Sequence, residues 1–202
     1  MHKIALIAAR FLIIVAIGAG LGIAVVLIQH GFSGSLQEAV HHVSPARSRY
    51  AVQAQYGIPV HVSRVIDGDT IELAGGEYLR YIGIDTPEEV DPRKPVQCFA
   101  AEAAERNKEL VEDKDVVFYK DISERDRYGR LLGFVYLPDG TFVNKMLVNE
   151  GYAFSYPYAP DISMAREFRS AEESAHKLLL GLWAGCKTTL LPNGREQTNA
   201  VK

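Results

Sequence analysis

The chain has 202 residues and a formal charge of −3, from 22 Lys and Arg against 25 Asp and Glu, with 48% hydrophobic and 23% charged residues. This length suits one domain plus an extra segment and excludes two large domains, while the composition excludes a collagen, a wholly disordered chain and a disulfide-dense miniprotein. No global basic field advertises a nucleic-acid binder, so any phosphate site has to be built from local arginines.

Residues 11–28 (FLIIVAIGAGLGIAVVLI) form an uncharged apolar run of eighteen, which as a helix reaches about 27 Å, near the hydrocarbon thickness of a bilayer. An uncleaved transmembrane anchor over residues 1–29 is the expectation. The alternative is a cleaved signal peptide, whose apolar stretch is usually about 7–15 residues; Gly18-Ala19-Gly20 imitates its cleavage site, but the run continues past it to Ile28. Lys3 and Arg10 precede the run and no Lys or Arg follows until Arg47, which predicts a cytoplasmic N-terminus and an extracytoplasmic remainder. Residues 30–56, with Ser33-Gly34-Ser35 and Pro45 and no sustained apolar period, read as a linker. Residues 57–202 hold 18 of the basic and 24 of the acidic residues, a net of −6.

Three β-rich stretches follow, 58–66, 70–73 and 78–84, separated by Asp67-Gly68-Asp69 and Gly75-Gly76, and they predict a meander. Helical spacing of Phe99, Ala103, Arg106 and Leu110 predicts a helix over 98–112. Two more strands are expected over 116–120 and 131–137, with Pro138-Asp139-Gly140 turning into a short helix over 143–150. A last helix is expected over 162–180, stopping at Gly181. Five strands and three helices imply an α+β fold, most economically a small antiparallel barrel with helices packed on it, because a barrel leaves no open edge. The folded domain is expected over 57–190, with a flexible tail over 191–202.

Asp67-Gly68-Asp69-Thr70 places two carboxylates about a glycine, and Asp85-Thr86-Pro87-Glu88 adds two more at a strand end. Hard oxygen donors of this kind suit Ca²⁺ or Mg²⁺, with no His or Cys beside them to favour zinc. Each stretch alone is equally a common turn. Arg80 precedes Asp85 by five residues, and Arg130 closes Asp126-Arg127-Tyr128-Gly129-Arg130; guanidinium forks match phosphate oxygens. With Arg93 and Lys94 these arginines would form a local basic patch on an otherwise acidic domain.

In order and spacing these motifs resemble the staphylococcal nuclease, or thermonuclease, family. The likeness spans about residues 58–186 and takes in Ile66 to Thr70, Arg80, Ile84 to Glu88, Asp126 to Arg130, Val143-Asn144, Leu147-Val148, Gly151, Tyr156, Tyr158 and Gly181-Leu182-Trp183. It implies a five-stranded OB-type barrel with three helices, acting as a calcium-dependent phosphodiesterase on DNA and RNA. By the same likeness Asp69 and Asp85 bind Ca²⁺ through their carboxylates and Thr86 through its backbone carbonyl, with Asp67 in support. Glu88 orients or deprotonates the attacking water, Arg80 and Arg130 grip the scissile phosphate, Arg127 and Tyr128 hold a neighbouring phosphate, and Tyr156 and Tyr158 line the base pocket.

Cys98 and Cys186 are the two cysteines. They could be two buried thiols, but an even count in an exported domain favours a bridge. The expected protein is a monomeric, membrane-anchored nuclease with little sequence specificity. Two other readings compete: an OB-fold nucleic-acid-binding module without catalysis, and a calcium-stabilised surface domain.

Overall fold

The computed structural model describes residues 56–89, 91–92 and 95–201. The chain divides into two units, Met1–Ala51 and Val52–Lys202, and every described residue lies in the second. The expected anchor over residues 1–29, nearly all of the linker, and Arg93 and Lys94 lie outside the described residues. Among the described residues no helix is long and apolar enough to cross a membrane.

Five strands close into a barrel in the order β1 (Val60–Asp67), β2 (Thr70–Leu73), β3 (Tyr78–Tyr81), β6 (Leu131–Tyr136), β5 (Asp115–Tyr119). This is the architecture of an OB-type fold. One join differs from the expected antiparallel barrel: β3 runs parallel to β6, pairing Leu79 with Leu131 and Tyr81 with Gly133. Between those strands the chain passes through a helix and β5, a crossover long enough to return in the same direction. Val62, Ile71, Leu79, Tyr81, Val116, Phe118, Leu131 and Val135 are buried in the core. Register shifts in β1 between Val62 and Arg64 and between Val65 and Asp67 mark bulges, which bend the strand toward the Asp67 turn.

The stretch expected as one strand over 78–84 breaks at Ile82-Gly83. Gly83 takes φ 78° with Phe168 packed so closely that a Cβ there would overlap the ring. Past this turn β4 (Ile84–Asp85) leaves the barrel and pairs with β7 (Phe154–Ser155), Asp85 opposite Phe154.

Helix α1 (Ala100–Val111) packs against β1. Its buried residues are Ala100, Ala103, Ala104, Asn107, Leu110 and Val111. Arg106, expected on the apolar face, instead ion-pairs with Glu150 at 2.7 Å and Glu109 at 2.9 Å. Helix α2 (Val143–Asn149) packs on β6 and on α3 (Ala165–Lys177), which is shorter than the expected 162–180. A one-turn helix α4 (Leu182–Gly185) follows. The segment expected as a flexible tail is paired: β8 (Thr188–Leu190) and β9 (Glu196–Thr198) form an antiparallel hairpin. Cys98 and Cys186 are joined by a disulfide across 88 positions, tying the approach to α1 to the base of this hairpin.

Candidate active site

The two acidic turns and the arginines, with Thr70 and Arg130 60 positions apart, meet on one side of the barrel because β1–β2, β3–β4 and the loop before β6 all open there. Asp67, Asp69, Arg80, Asp85, Thr86, Glu88, Arg127, Tyr128, Arg130, Tyr156 and Tyr158 line a single cleft of about 890 Å³. Every residue assigned a catalytic, metal or substrate role from sequence is therefore on one surface.

At the centre, the Arg80 guanidinium spans two buried carboxylates. Its NH1 is 2.7 Å from Asp69 Oδ2 and its NH2 donates to Asp85 Oδ1 at 3.1 Å. Asp69 Oδ2 also accepts the Thr86 N–H at 2.9 Å, and Asp69 Oδ1 accepts the Thr70 hydroxyl at 3.2 Å. Asp67 Oδ1 accepts the Asp69 N–H at 3.0 Å, closing an Asx turn about Gly68. A Cβ on Gly68 would stand 2.7 Å from Thr86, so only glycine lets the two acidic loops touch.

Like charges in a water-poor place perturb one another. Burial, reinforced by the charge of Asp69, pushes the Asp67 carboxyl up to about 7. Burial likewise raises Asp85 to about 6 although Arg80 pulls it down. Burial works against the charge on Arg80, but Asp69 and Asp85 outweigh it and hold the guanidinium above its ordinary value.

Arg130 is aimed by Asp126, which accepts its Nε at 2.8 Å and its backbone N–H at 3.0 Å. The same carboxylate accepts the Tyr128 N–H at 2.9 Å, so one aspartate shapes the whole loop. Arg127 donates to the Tyr128 hydroxyl at 2.6 Å and lies over its ring. Glu88 is fixed through its backbone: its N–H donates to Gln97 Oε1 at 2.8 Å and its carbonyl accepts the Gln97 N–H at 2.9 Å. Its Oε1 accepts the Asp91 N–H at 3.1 Å. Tyr156 and Tyr158 face each other with centroids 6.4 Å apart, and Tyr158 is exposed.

Sequence reasoning passed over several contributors. Asn107, fully buried on α1, accepts the Tyr81 hydroxyl at 2.9 Å and donates to the Asp67 carbonyl at 3.0 Å. A lone Asn in a helix carries no signal of such a role. Arg195, in the hairpin turn, forks onto Asp85: Nε to Oδ2 and NH2 to Oδ1, the latter at 2.8 Å. Pro192-Asn193-Gly194 just after Thr188-Thr189-Leu190 is a turn signal that marks its position.

The donor chemistry here is two buried carboxylates with neighbouring hydroxyl and carbonyl oxygens, which fits a hard cation such as Ca²⁺ or Mg²⁺ rather than zinc. The fit has a condition, because guanidinium groups already occupy these oxygens as counter-cations. Among the described residues no group of three or more His, Cys, Asp or Glu stands ready as a metal cage.

A closed OB-type barrel carrying arginines and paired carboxylates in one cleft defines a class built to hold an anion such as phosphate beside hard oxygen donors. The chain belongs to the staphylococcal nuclease family: residues 78–185 match the model described as Staphylococcal nuclease homologue. It is 39% identical over 126 residues to the thermonuclease of Staphylococcus hyicus, covering 61% of this chain and 74% of that one. It is 38% identical over 154 residues to the SPbeta prophage-derived endonuclease YokF of Bacillus subtilis (strain 168), covering 72% of this chain and 52% of the relative, so it spans about half that protein's length. Endonuclease YncB of the same organism is 38% identical over 132 residues, 63% of this chain and 62% of the relative.

Proposed function

We propose that this chain is a calcium-dependent nuclease hydrolysing phosphodiester bonds of DNA and RNA with little sequence specificity. The observation that carries the reading is the convergence of Arg80, Arg130 and Glu88 with buried Asp69 and Asp85 on one cleft, within a family whose relatives are named thermonuclease and endonuclease.

A phosphodiester anion repels an incoming hydroxide, and negative charge concentrates on the phosphoryl oxygens as the attacking oxygen bonds to phosphorus. Arg80 and Arg130 present fixed guanidinium donors to those oxygens, and Asp126 holds the second of them without reorganisation. Glu88 takes up or directs the proton of the attacking water. Asp69, Asp85 and the Thr86 carbonyl would hold Ca²⁺, which when bound supplies Lewis-acid neutralisation of the phosphate. Asp67 keeps the Asp69 loop in shape. Arg127 and Tyr128 contact a neighbouring phosphate, and the Tyr156–Tyr158 pair offers π-faces that accept any base, the basis of low specificity. One chain supplies every proposed contact, so the proposed chemistry needs no residue from a second copy.

Cleavage of single-stranded DNA, duplex DNA and RNA by the full chain, with Ca²⁺ or with chelator, tests this. Activity that disappears in EGTA is expected; undiminished cleavage in excess EGTA and EDTA overturns the calcium assignment. Binding of nucleic acid by folded protein without cleavage selects the OB-fold binding module instead.

The same reading tethers the domain outside the cytoplasmic membrane through residues 11–28, supported by the length of the apolar run and by Lys3 and Arg10 before it. Membrane fractionation and protease treatment of intact spheroplasts check it. A protease-protected domain overturns the topology, and a soluble product starting within the run means a cleaved signal.

A further inference from the structure

Both oxygens of Asp85 are taken. Oδ1 accepts from Arg80 NH2 at 3.1 Å and from Arg195 NH2 at 2.8 Å, and Oδ2 accepts Arg195 Nε. The pair is no loose surface contact, for the Asp85 side chain is only 7% exposed and that of Arg195 28%. Arg195 also lies 5.9 Å from the Tyr156 ring centroid, and it stands outside residues 78–185 that match the family.

The hairpin holds this arginine firmly. The Arg195 N–H donates to Asn193 Oδ1 at 3.1 Å and its carbonyl accepts the Leu191 N–H at 2.8 Å, closing the turn. Behind it, the end of β9 and the residues after it are stitched to the segment 96–98 before α1: Cys98 N–H to the Asn199 carbonyl at 2.8 Å, Thr198 hydroxyl to the Cys98 carbonyl at 2.8 Å, Val201 N–H to the Val96 carbonyl at 3.0 Å. The Cys98–Cys186 bridge fastens the same corner.

A buried carboxylate requires a counter-ion. We propose that Arg195 is the resident counter-ion of Asp85 and a direct competitor for the divalent cation, a positioning residue that sets the cation concentration at which the site fills. The inference rests on the metal reading above. Because the fork engages both oxygens and Oδ1 also holds Arg80, a cation approaching Asp85 meets only the remaining lone pair of Oδ2, beside the guanidinium, unless an Arg195 bond breaks. Two effects then act with the same sign: most of the carboxylate's acceptor capacity is already taken, and a guanidinium beside the cation repels it.

Calorimetric titration of the full chain with Ca²⁺ alone tests the proposal, comparing wild type with Arg195→Ala, Arg195→Gln, Arg195→Lys and Asp85→Asn. Arg195→Ala and Arg195→Gln should bind Ca²⁺ at least about fivefold more tightly, with Arg195→Lys in between because an ammonium cannot fork. Structural damage would weaken binding, so the sign separates competition from a merely structural role. If Arg195→Ala does not fold by circular dichroism, the Gln and Lys variants carry the comparison. Equal or weaker Ca²⁺ affinity in the neutral variants overturns the proposal alone. Absence of Ca²⁺ binding in wild type and variants, or binding undiminished in Asp85→Asn, overturns it together with the metal reading. The expected order of affinities in a chain that cleaves nothing upholds it and removes only the nuclease reading.

Discussion

Arg80 is held by the carboxylates it neutralises, and this double contact makes a lysine a poor substitute. One ammonium cannot span Asp69 and Asp85 as the planar fork does. Arg80→Lys, Arg130→Lys and Glu88→Gln should each lower turnover by at least about 10²-fold, the scale of losing a preorganised transition-state contact, in steady-state cleavage assays. Wild-type turnover in a folded Arg130→Lys protein would remove that residue's phosphate role. Glu172 offers a test away from the cleft. Burial, opposed by the Ser155 N–H that it accepts and aided by Glu196, pushes its carboxyl up to about 7 from an ordinary 4.5. A raised carboxyl favours the folded state while protonated, so its contribution is fully present below about 4.5 and is lost as pH rises through about 7. Glu172→Gln should flatten the fall in thermal stability across that window and raise the melting temperature at pH 8 by about 2–4 °C. An unchanged pH profile in differential scanning calorimetry would contradict this.

At the scale of elements, side-chain amides do what strand pairing cannot. Asn144, fully buried on α2, donates to the carbonyls of Ile82 and Gly133 at 3.0 and 3.3 Å and accepts the Val135 N–H at 2.8 Å. It thereby pins the turn between β3 and β4 to β6, and the position of Asp85 depends on that turn. Asn144→Ala leaves three buried backbone groups without this partner and should cost about 2–4 kcal/mol in urea unfolding. Elements with strong local signals were legible. The five barrel strands and three longer helices came out in the expected order, with ends shifted by a few residues. The exceptions share a cause. β4 and β7 are two residues each, too short for a pattern, and exist only because their partners are nearby. The parallel β3–β6 join follows from the path of the whole chain rather than from either strand.

At the scale of the molecule, the disulfide closes a separation of 88 positions around most of the helical layer. In the chain-entropy model such a link stabilises by about 4–5 kcal/mol. Reduction should lower the urea midpoint correspondingly, and it should release the hairpin first, because apart from the bridge the hairpin is tied down by the Arg195–Asp85 fork and a few contacts near Cys98. Hydrogen exchange of the 188–199 amides before and after reduction measures that loosening; uniform protection in both states would show the hairpin to be held independently.

Residue types and their order determined the family, the chemistry of the cleft and which residues reach it, because Asp-Gly-Asp, Asp-Thr-Pro-Glu and Asp-Arg-Tyr-Gly-Arg carry their donors within short stretches that fold locally into turns. The tertiary structure alone decided how those donors are partnered. Asn107 under the Asp67 turn and above all Arg195 on Asp85 are contacts between residues 40 and 110 positions apart. Chain closure brings them together, and a charge in the sequence does not say which opposite charge it will be buried against.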